Sequence, residues 1–217
     1  MKSSRGLLEL DVADNHITFK GARDLGSSLG KGVIRTLTLG GNPLGVRGVR
    51  AVATAMARCG SVTALDVGST NCGPIGLADV LEAMERCPGV SYLNLEQNAL
   101  GCQGAERMGA AMRGATTRAL KTLVLHDNAL GDKGATCVAD ALGRPSAAPM
   151  AGGSVRPSRA GITSLDLSNN DLTAAGAEAC ANALGRCTTL ASLALQQNDI
   201  GLKGLVALEA AVTASCS

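Results

Sequence analysis

Apolar residues recur along the chain in one fixed pattern, which divides its 217 residues into repeats. Each repeat begins with an apolar residue, skips two positions and continues as Leu-x-Leu or Leu-x-Val. Repeats 1 to 7 start at Leu7, Ile34, Val62, Val90, Leu120, Ile162 and Leu190. Successive starts are 27, 28, 28, 30, 42 and 28 residues apart. Alternation with a period of two predicts a short strand with one buried face in every repeat.

Two further columns of residues follow each Leu-x-Leu unit. The first is a polar column that is occupied by Thr70 in repeat 3 and by Asn in the others: Asn15, Asn42, Asn98, Asn128, Asn170 and Asn198. We expect these amides to hydrogen-bond backbone groups of the turn and of the adjacent repeat, as a structural asparagine ladder. The second is an unbroken Gly column, from Gly21 to Gly204. Its glycines permit either an unusual backbone conformation or a close approach.

The second half of each repeat has helical spacing. After Gly48, the apolar residues Val49, Val52, Ala53 and Met56 fall at i, i+3, i+4 and i+7. A unit of strand, turn and helix, repeated seven times, predicts an α/β solenoid. Parallel strands line its concave face and helices form its convex face. We expect residues 1–217 to form this single domain.

The repeats resemble a known family. The segment Leu-Val-Leu-His-Asp-Asn-Ala-Leu-Gly-Asp-Lys-Gly-Ala at 123–135 is similar to the ribonuclease-inhibitor-type leucine-rich repeat. Such repeats are found in ribonuclease inhibitor, Ran GTPase-activating protein and the NOD-like receptors. The resemblance implies a horseshoe-shaped solenoid that binds another macromolecule, but it does not identify the partner because the family binds many.

Two segments depart from the repeat. The 42-residue interval contains a low-complexity stretch at 143–161, rich in Pro, Gly, Ala and Ser, with three Arg and no acidic residue. A disordered loop insertion is the favoured interpretation, and a basic contact arm is the alternative. In repeat 3, Thr70 and Cys72 replace the usual Asn and Leu. This is either a locally tolerated variant or a local change of curvature.

The residues that carry chemistry are sparse, and we predict neither an enzyme nor a cofactor. His16 and His126 lie in distant repeats, so they do not form a metal site, and no catalytic triad is apparent. The eight Cys never form a CxxC pair. They are interpreted as reduced, buried residues of an intracellular, cytoplasmic protein. We expect no membrane insertion, because the sequence contains neither an apolar stretch of transmembrane length nor a signal peptide.

The strand positions between the buried leucines point to the concave face. The candidate partner-binding residues there are Glu9, Asp11, Asp66, Tyr92, Asn94, Glu96, His126, Asp127 and Asp166. With Asp14, seven positions of this surface are acidic and none is basic, although the formal charge of the chain is +2. Such a surface would attract a basic partner. The alternative is that the charges only keep the strands solvated. Tyr92 is the best hot-spot candidate.

Several functions fit these observations. The first is a non-catalytic scaffolding subunit whose protein partners, including several subunits of one complex, cover solenoid ends that lack polar capping repeats. A cytoskeletal or ciliary assembly fits by analogy. The alternatives are a GTPase-activating-type regulator of a small GTPase and an inhibitor that binds a basic protein through the acidic concave face. Contact of nucleic acid with a basic convex face is disfavoured, because clustered basic residues and stacking aromatic residues are missing.

Overall fold

The computed structural model describes residues 6–29, 33–143 and 161–215. In this part of the chain, seven strands alternate with seven helices, and the strands form one open parallel sheet in sequential order. The strands are β1 (Glu9–Asp11), β2 (Thr36–Thr38), β3 (Ala64–Asp66), β4 (Tyr92–Asn94), β5 (Thr122–Val124), β6 (Ser164–Asp166) and β7 (Ser192–Ala194). The helices are α1 (Phe19–Leu29), α2 (Gly45–Cys59), α3 (Gly73–Arg86), α4 (Gly101–Arg113), α5 (Gly131–Gly143), α6 (Ala174–Leu184) and α7 (Gly201–Ser215). The predicted solenoid of seven repeats is confirmed.

The strand register follows from the leucines. The central leucines of the seven strands pair with one another across the sheet, from Leu10 to Leu193. From β2 to β6 these leucines are fully buried, whereas Leu10 and Leu193 in the two edge strands are only partly covered. A shift of one residue would turn each leucine to the opposite face, so burial fixes the register.

The core lies between the sheet and a layer of helices. Helices α1 to α6 bury apolar residues along one face, such as Val49, Val52 and Met56 in α2. In the described part of the chain, helices and strands contact only their sequential neighbours. Repeats are therefore held together by what we call junctions, each formed between two consecutive repeats.

The Gly column serves close packing. An added Cβ would lie 2.8 Å from Leu44 Cβ at Gly48, and 2.8 Å from Ala177 Cβ of the preceding helix at Gly204. None of the column glycines adopts a positive φ. Most described glycines that do so lie three positions before the column, at the start of a helix, for example Gly45 with φ +62° and Gly101 with φ +58°, while Gly41 and Gly60 do so elsewhere. The spacing of apolar residues within a repeat does not predict this second set of glycines.

The two ends of the solenoid differ in what they expose. At repeat 7, α7 presents Leu202, Leu205, Val206 and Val212 to solvent, with exposures between 53% and 77%. At repeat 1, Leu7 and Leu8 beside β1 are 45% and 47% exposed. The predicted insertion at 143–161 lies outside the described residues, apart from Gly143 and Gly161.

Candidate protein interface

Side chains on the concave face form three rows across the sheet. The first and third residues of each strand supply two rows, and the second residue beyond the strand supplies the third. In strands such as β2 and β3 these outer residues are half-buried, while the central leucine is buried. This pattern results because neighbouring strands cover the base of each side chain but leave its tip accessible.

Acidic and aromatic groups converge where repeats 3 and 4 meet. Asp66 pairs with Asn94 in the sheet register, and Tyr92 begins the same strand as Asn94. A Cβ at Gly68 would lie 2.6 Å from Glu96 Cγ, 3.2 Å from Asn94 Nδ2 and 3.3 Å from Asp66 Oδ1. The three side chains therefore crowd the space that Gly68 leaves open. The two carboxylates and Tyr92 form one compact patch, which we call the acidic patch.

The surroundings of Tyr92 change the pKa of its hydroxyl. Partial burial raises the pKa of Tyr92, and the negative charges of Asp66 and Glu96 raise it further. Both effects disfavour the phenolate. Tyr92 therefore presents a neutral hydroxyl and an aromatic ring beside two carboxylates, a combination suited to a guanidinium or ammonium group.

Four of the predicted residues also hold the turn after their strand. The side-chain oxygens of Asp11, Asp66, Asn94 and Asp166 accept hydrogen bonds from the backbone N–H two residues further on, at 2.8–3.0 Å. Each of the three carboxylates has a second oxygen that these bonds do not use. The sequence pattern was not interpreted as a turn, although Asp or Asn at the last strand position in four repeats is the signal for one.

The remaining candidates are distributed along the sheet. Asp127 lies on the next repeat, where Gln97, which follows Glu96 in the chain, donates from its amide to Asp127 Oδ2 at 3.0 Å. Ser69 donates to Gln97 Oε1 at 2.7 Å, so that one hydrogen-bonded row links repeats 3, 4 and 5. His126 is half-buried beside this row. The structure leaves Glu9 and Asp11 exposed at the β1 edge, and it places Asp166 two repeats from Asn94.

Basic side chains lie elsewhere. Arg50 pairs with Asp79 at 3.0 Å, and Lys203 pairs with Glu178 at 2.8 Å, in both cases between consecutive helices. In every repeat, the first and third strand residues and the second and third residues beyond the strand contain no Lys or Arg. The negative potential of the acidic patch is thus not neutralised within its own surface.

The asparagine ladder lies beneath this surface. Asn128 Oδ1 accepts from the N–H groups of Asn98 and Leu100, and its amide donates to Leu95 O in the preceding repeat. Asn42, Asn98, Asn170 and Asn198 make the equivalent bonds. Asn15 is exposed, and its amide donates to Ala13 O. The ladder thus connects repeats to one another.

The cysteines fall into two groups. Cys72, Cys87 and Cys180 are buried, and desolvation raises the pKa of both Cys72 and Cys180 to about 11. These two thiols are therefore protonated and unreactive at neutral pH. Cys59, Cys102, Cys137 and Cys187 are only half-buried, so the prediction of uniform burial is wrong for them. Their side chains occupy helix ends and helix surfaces, which the neighbouring repeats cover incompletely.

Two other kinds of feature are absent from the described residues. No group of three or more His, Cys, Asp or Glu side chains in ranges 6–29, 33–143 and 161–215 could hold a metal ion. Within the same ranges, every helix is too short or too polar to cross a membrane.

Comparison with known proteins gives the following. The family model described as "Leucine Rich repeat" matches residues 3–26, 118–139, 162–179 and 186–208, in repeats 1, 5, 6 and 7. No curated protein matches the chain. A solved structure of leiomodin-1 actin-binding site 2 is similar at 10% identity, with a TM-score of 0.41, and the match covers 99% of this chain and 83% of that one. The family match and the observed repeats support a leucine-rich-repeat protein.

Proposed function

We propose that this leucine-rich-repeat protein is a non-catalytic, protein-binding subunit of a larger assembly. It holds a basic segment of its partner on the concave face. The observation that carries the proposal is the acidic patch of Asp66, Tyr92 and Glu96, with Asp127 held by Gln97 on the neighbouring repeat. We further propose that the repeats are of the ribonuclease-inhibitor type and that the protein is cytoplasmic, with a cytoskeletal assembly as one setting.

The geometry of the patch suits a binding surface because its parts are already held in place. Asp66 and Asn94 are fixed by their turns, and Asp127 is fixed by Gln97. Less side-chain freedom is then lost when a partner binds. Arg or Lys of the partner would contact the carboxylates directly and pack against the Tyr92 ring.

The proposal is tested with an immobilised Arg-rich peptide and an Asp-rich peptide of equal length. We expect selective binding of the Arg-rich peptide, which weakens as salt is raised above about 0.15 M because screening acts on exposed charges. The double variant Asp66→Asn, Glu96→Gln should weaken this binding about tenfold. Asn at position 66 retains an acceptor for Gly68, so the turn is preserved.

A matched control removes two negative charges from the convex face. Glu82 and Glu85 are exposed on α3, and Glu82→Gln with Glu85→Gln changes the net charge by the same amount. Retained binding in this control, together with loss in the concave variant, supports the proposal. Equal loss in both variants would show only a general charge effect and would refute it.

An inhibitor of a basic enzyme is a second candidate, favoured by the same acidic patch. Both functions require binding of a basic protein, but only an inhibitor lowers the activity of its partner. Once a basic partner has been identified, its activity with and without the chain distinguishes the two.

A further inference from the structure

The same backbone hydrogen bonds recur in all six junctions. The carbonyl of the second residue of a repeat accepts from the next repeat, as Leu8 O does from the N–H groups of Arg35 and Thr36. Two N–H groups at the end of the strand donate forward, as Val12 N does to Thr38 O and Asp14 N to Gly40 O. Five of the six junctions add two N–H groups that donate to the next Asn Oδ1. Each repeat thus presents a fixed set of groups to its successor.

Repeat 7 presents this set without a successor in the described chain. Leu195 N and Gln197 N correspond to Val12 N and Asp14 N, and Ala191 O corresponds to Leu8 O. Asn198 N and Ile200 N correspond to the donors that reach the next asparagine. Within ranges 6–29, 33–143 and 161–215, none of these groups is hydrogen-bonded.

Repeat 1 offers the complementary set on its outer side. The carbonyls of Asp11 and Ala13 occupy the places of the acceptors Thr38 O and Gly40 O, and the N–H groups of Leu8 and Glu9 occupy those of Arg35 and Thr36. Asn15 stands at the ladder position with an exposed side chain. Its Oδ1 could accept from Asn198 N and Ile200 N, as Asn42 Oδ1 accepts from Asn15 N and Ile17 N.

The helix surfaces at the two ends of the solenoid are also complementary. In junctions within the chain, the column glycine faces the first turn of the preceding helix, and a Cβ at Gly204 would lie 3.3 Å from Ala174 Cα and 2.8 Å from Ala177 Cβ. The equivalent residues of α7 are Leu202 and Leu205, which are 77% and 54% exposed. Gly21, the column glycine of repeat 1, is exposed, and a Cβ there would approach only Ile17.

Leucine is compatible with this type of packing. Leu77 in α3 occupies the position that corresponds to Leu205, and it is fully buried. Covering the apolar side chains of α7 would remove them from water and favour association.

From these matches we infer that a second copy of this chain docks on repeat 7 through its repeat 1, continuing the parallel sheet, the asparagine ladder and the helix layer from one molecule into the next. The two surfaces are different, so the contact is head-to-tail. Such a contact leaves one free end of each kind and permits growth beyond two copies. The inference is independent of the acidic patch, which lies on the middle repeats.

The test uses two variants, each blocked at one end. Leu205→Arg places a charge on the exposed face of α7. Asn15→Arg removes the ladder acceptor at the β1 edge and adds a charge. Both residues are exposed in a single copy, so both variants should retain the circular dichroism spectrum and urea midpoint of the wild type. The mass in solution is measured by analytical ultracentrifugation across a range of concentrations, for each variant and for their equimolar mixture.

The measured mass of the wild type should increase with concentration. Each blocked variant alone should keep the 21.7 kDa of one chain. The mixture should stop at two chains, because only one productive pair of ends remains. A wild type that stays monomeric overturns the inference. A dimer of Asn15→Arg alone also overturns it, because two α7 faces would then pair symmetrically. Loss of self-association with unchanged peptide binding separates this interface from the proposed function.

Discussion

The junction between repeats 4 and 5 and that between repeats 2 and 3 differ at one ladder position. Asn128 supplies an acceptor for Asn98 N and Leu100 N and a donor for Leu95 O. At the other junction, Thr70 directs its hydroxyl to Val67 O of its own repeat, at 2.7 Å. Leu44 N bonds to Asn42 O instead, at 2.7 Å.

The strand pairing is nevertheless the same at both junctions. Leu39 N donates to Asp66 O as Leu95 N does to Val124 O, and Gly45 N donates to Thr70 O as Gly101 N does to Asn128 O. The backbone therefore sets the register without the asparagine. The comparison indicates that the side-chain amide contributes stability at a junction whose geometry the strands and buried leucines already define.

The largest effect is expected from removing the amide at the complete junction. Asn128→Ala leaves the N–H groups of Asn98 and Leu100 without their partner in a buried site, whereas Leu95 O keeps its bond from Asn98 Nδ2. Such unsatisfied groups destabilise by about 1–3 kcal/mol each, and we expect a total loss of about 3 kcal/mol or more. Urea unfolding measures it. Asn15→Ala, which removes an exposed amide of the same column, should change stability by less than about 0.5 kcal/mol. Similar losses in the two variants would refute the argument.

The tight helix packing at this junction provides the second test. A Cβ at Gly109 would lie 2.5 Å from Cys137 O, which is backbone and cannot move independently of α5. We expect Gly109→Ala to destabilise by about 1–2 kcal/mol, since overpacking exceeds the gain in helix propensity. Gly185→Ala serves as the control, because its nearest neighbour, Asn182 O, lies at 3.9 Å. Thermal unfolding of both variants would show a loss only for Gly109→Ala if the contact is the cause.

The junction between repeats 5 and 6 has a further type of bond, because the carboxylate of Asp132 accepts hydrogen bonds across it. Asp132 accepts hydrogen bonds from Thr173 N, the Thr173 hydroxyl and Gly176 N at 2.7–2.9 Å. Desolvation raises the pKa of Asp132, but these three hydrogen bonds outweigh it and lower the pKa overall. We expect Asp132→Ala to destabilise by about 1 kcal/mol at pH 7.

This effect should depend on pH in a defined direction. A carboxyl whose pKa is lower in the folded state stabilises above its unfolded pKa of about 3.9, and this contribution is lost as the pH falls through the folded value. The difference between wild type and Asp132→Ala should therefore be constant from pH 7 to about pH 5 and shrink in more acidic solution. Asp140→Ala, which removes an exposed carboxylate 3.5 Å from Arg186, is the control and should show a smaller effect. A difference that grows on acidification would contradict the assignment.

The smallest expected effect is an increase in stability. Thr70→Asn restores the amide missing at the junction of repeats 2 and 3, and we expect it to stabilise by about 0.5–1 kcal/mol. Thr70→Val, which removes the hydroxyl at nearly constant volume, should destabilise. If urea unfolding shows no gain for Thr70→Asn, then the local backbone around Asn42 and Leu44 is not arranged to use the amide.

Much of the fold was predictable because it is repeated. Each strand lies at its predicted Leu-x-Leu unit, since a buried leucine column and a period of two leave one register. The turns were harder to predict from the sequence. The left-handed glycines at 45 and 101 and the bonds of Asp132 depend on contacts between repeats, which a pattern within one repeat does not reveal.

The candidate site was predictable as a surface but not as a cluster. The alternation placed Asp66, Tyr92 and Glu96 on one face, and their convergence over Gly68 required the sheet register. The link from Gln97 to Asp127 joins side chains 30 positions apart, and no spacing rule predicts it. That these residues bind a partner stays a prediction.

Because contacts are restricted to sequential neighbours, they also determine how the molecule unfolds. With no contact between distant repeats in the described chain, we expect unfolding to proceed by loss of one junction at a time, beginning at the outermost repeats. Amide hydrogen exchange should therefore be slowest in the middle of the array. Because the junction at Thr70 lacks the ladder amide, we expect repeats 1 and 2 to separate from the rest of the solenoid at a lower free-energy cost than they would with Asn at that position.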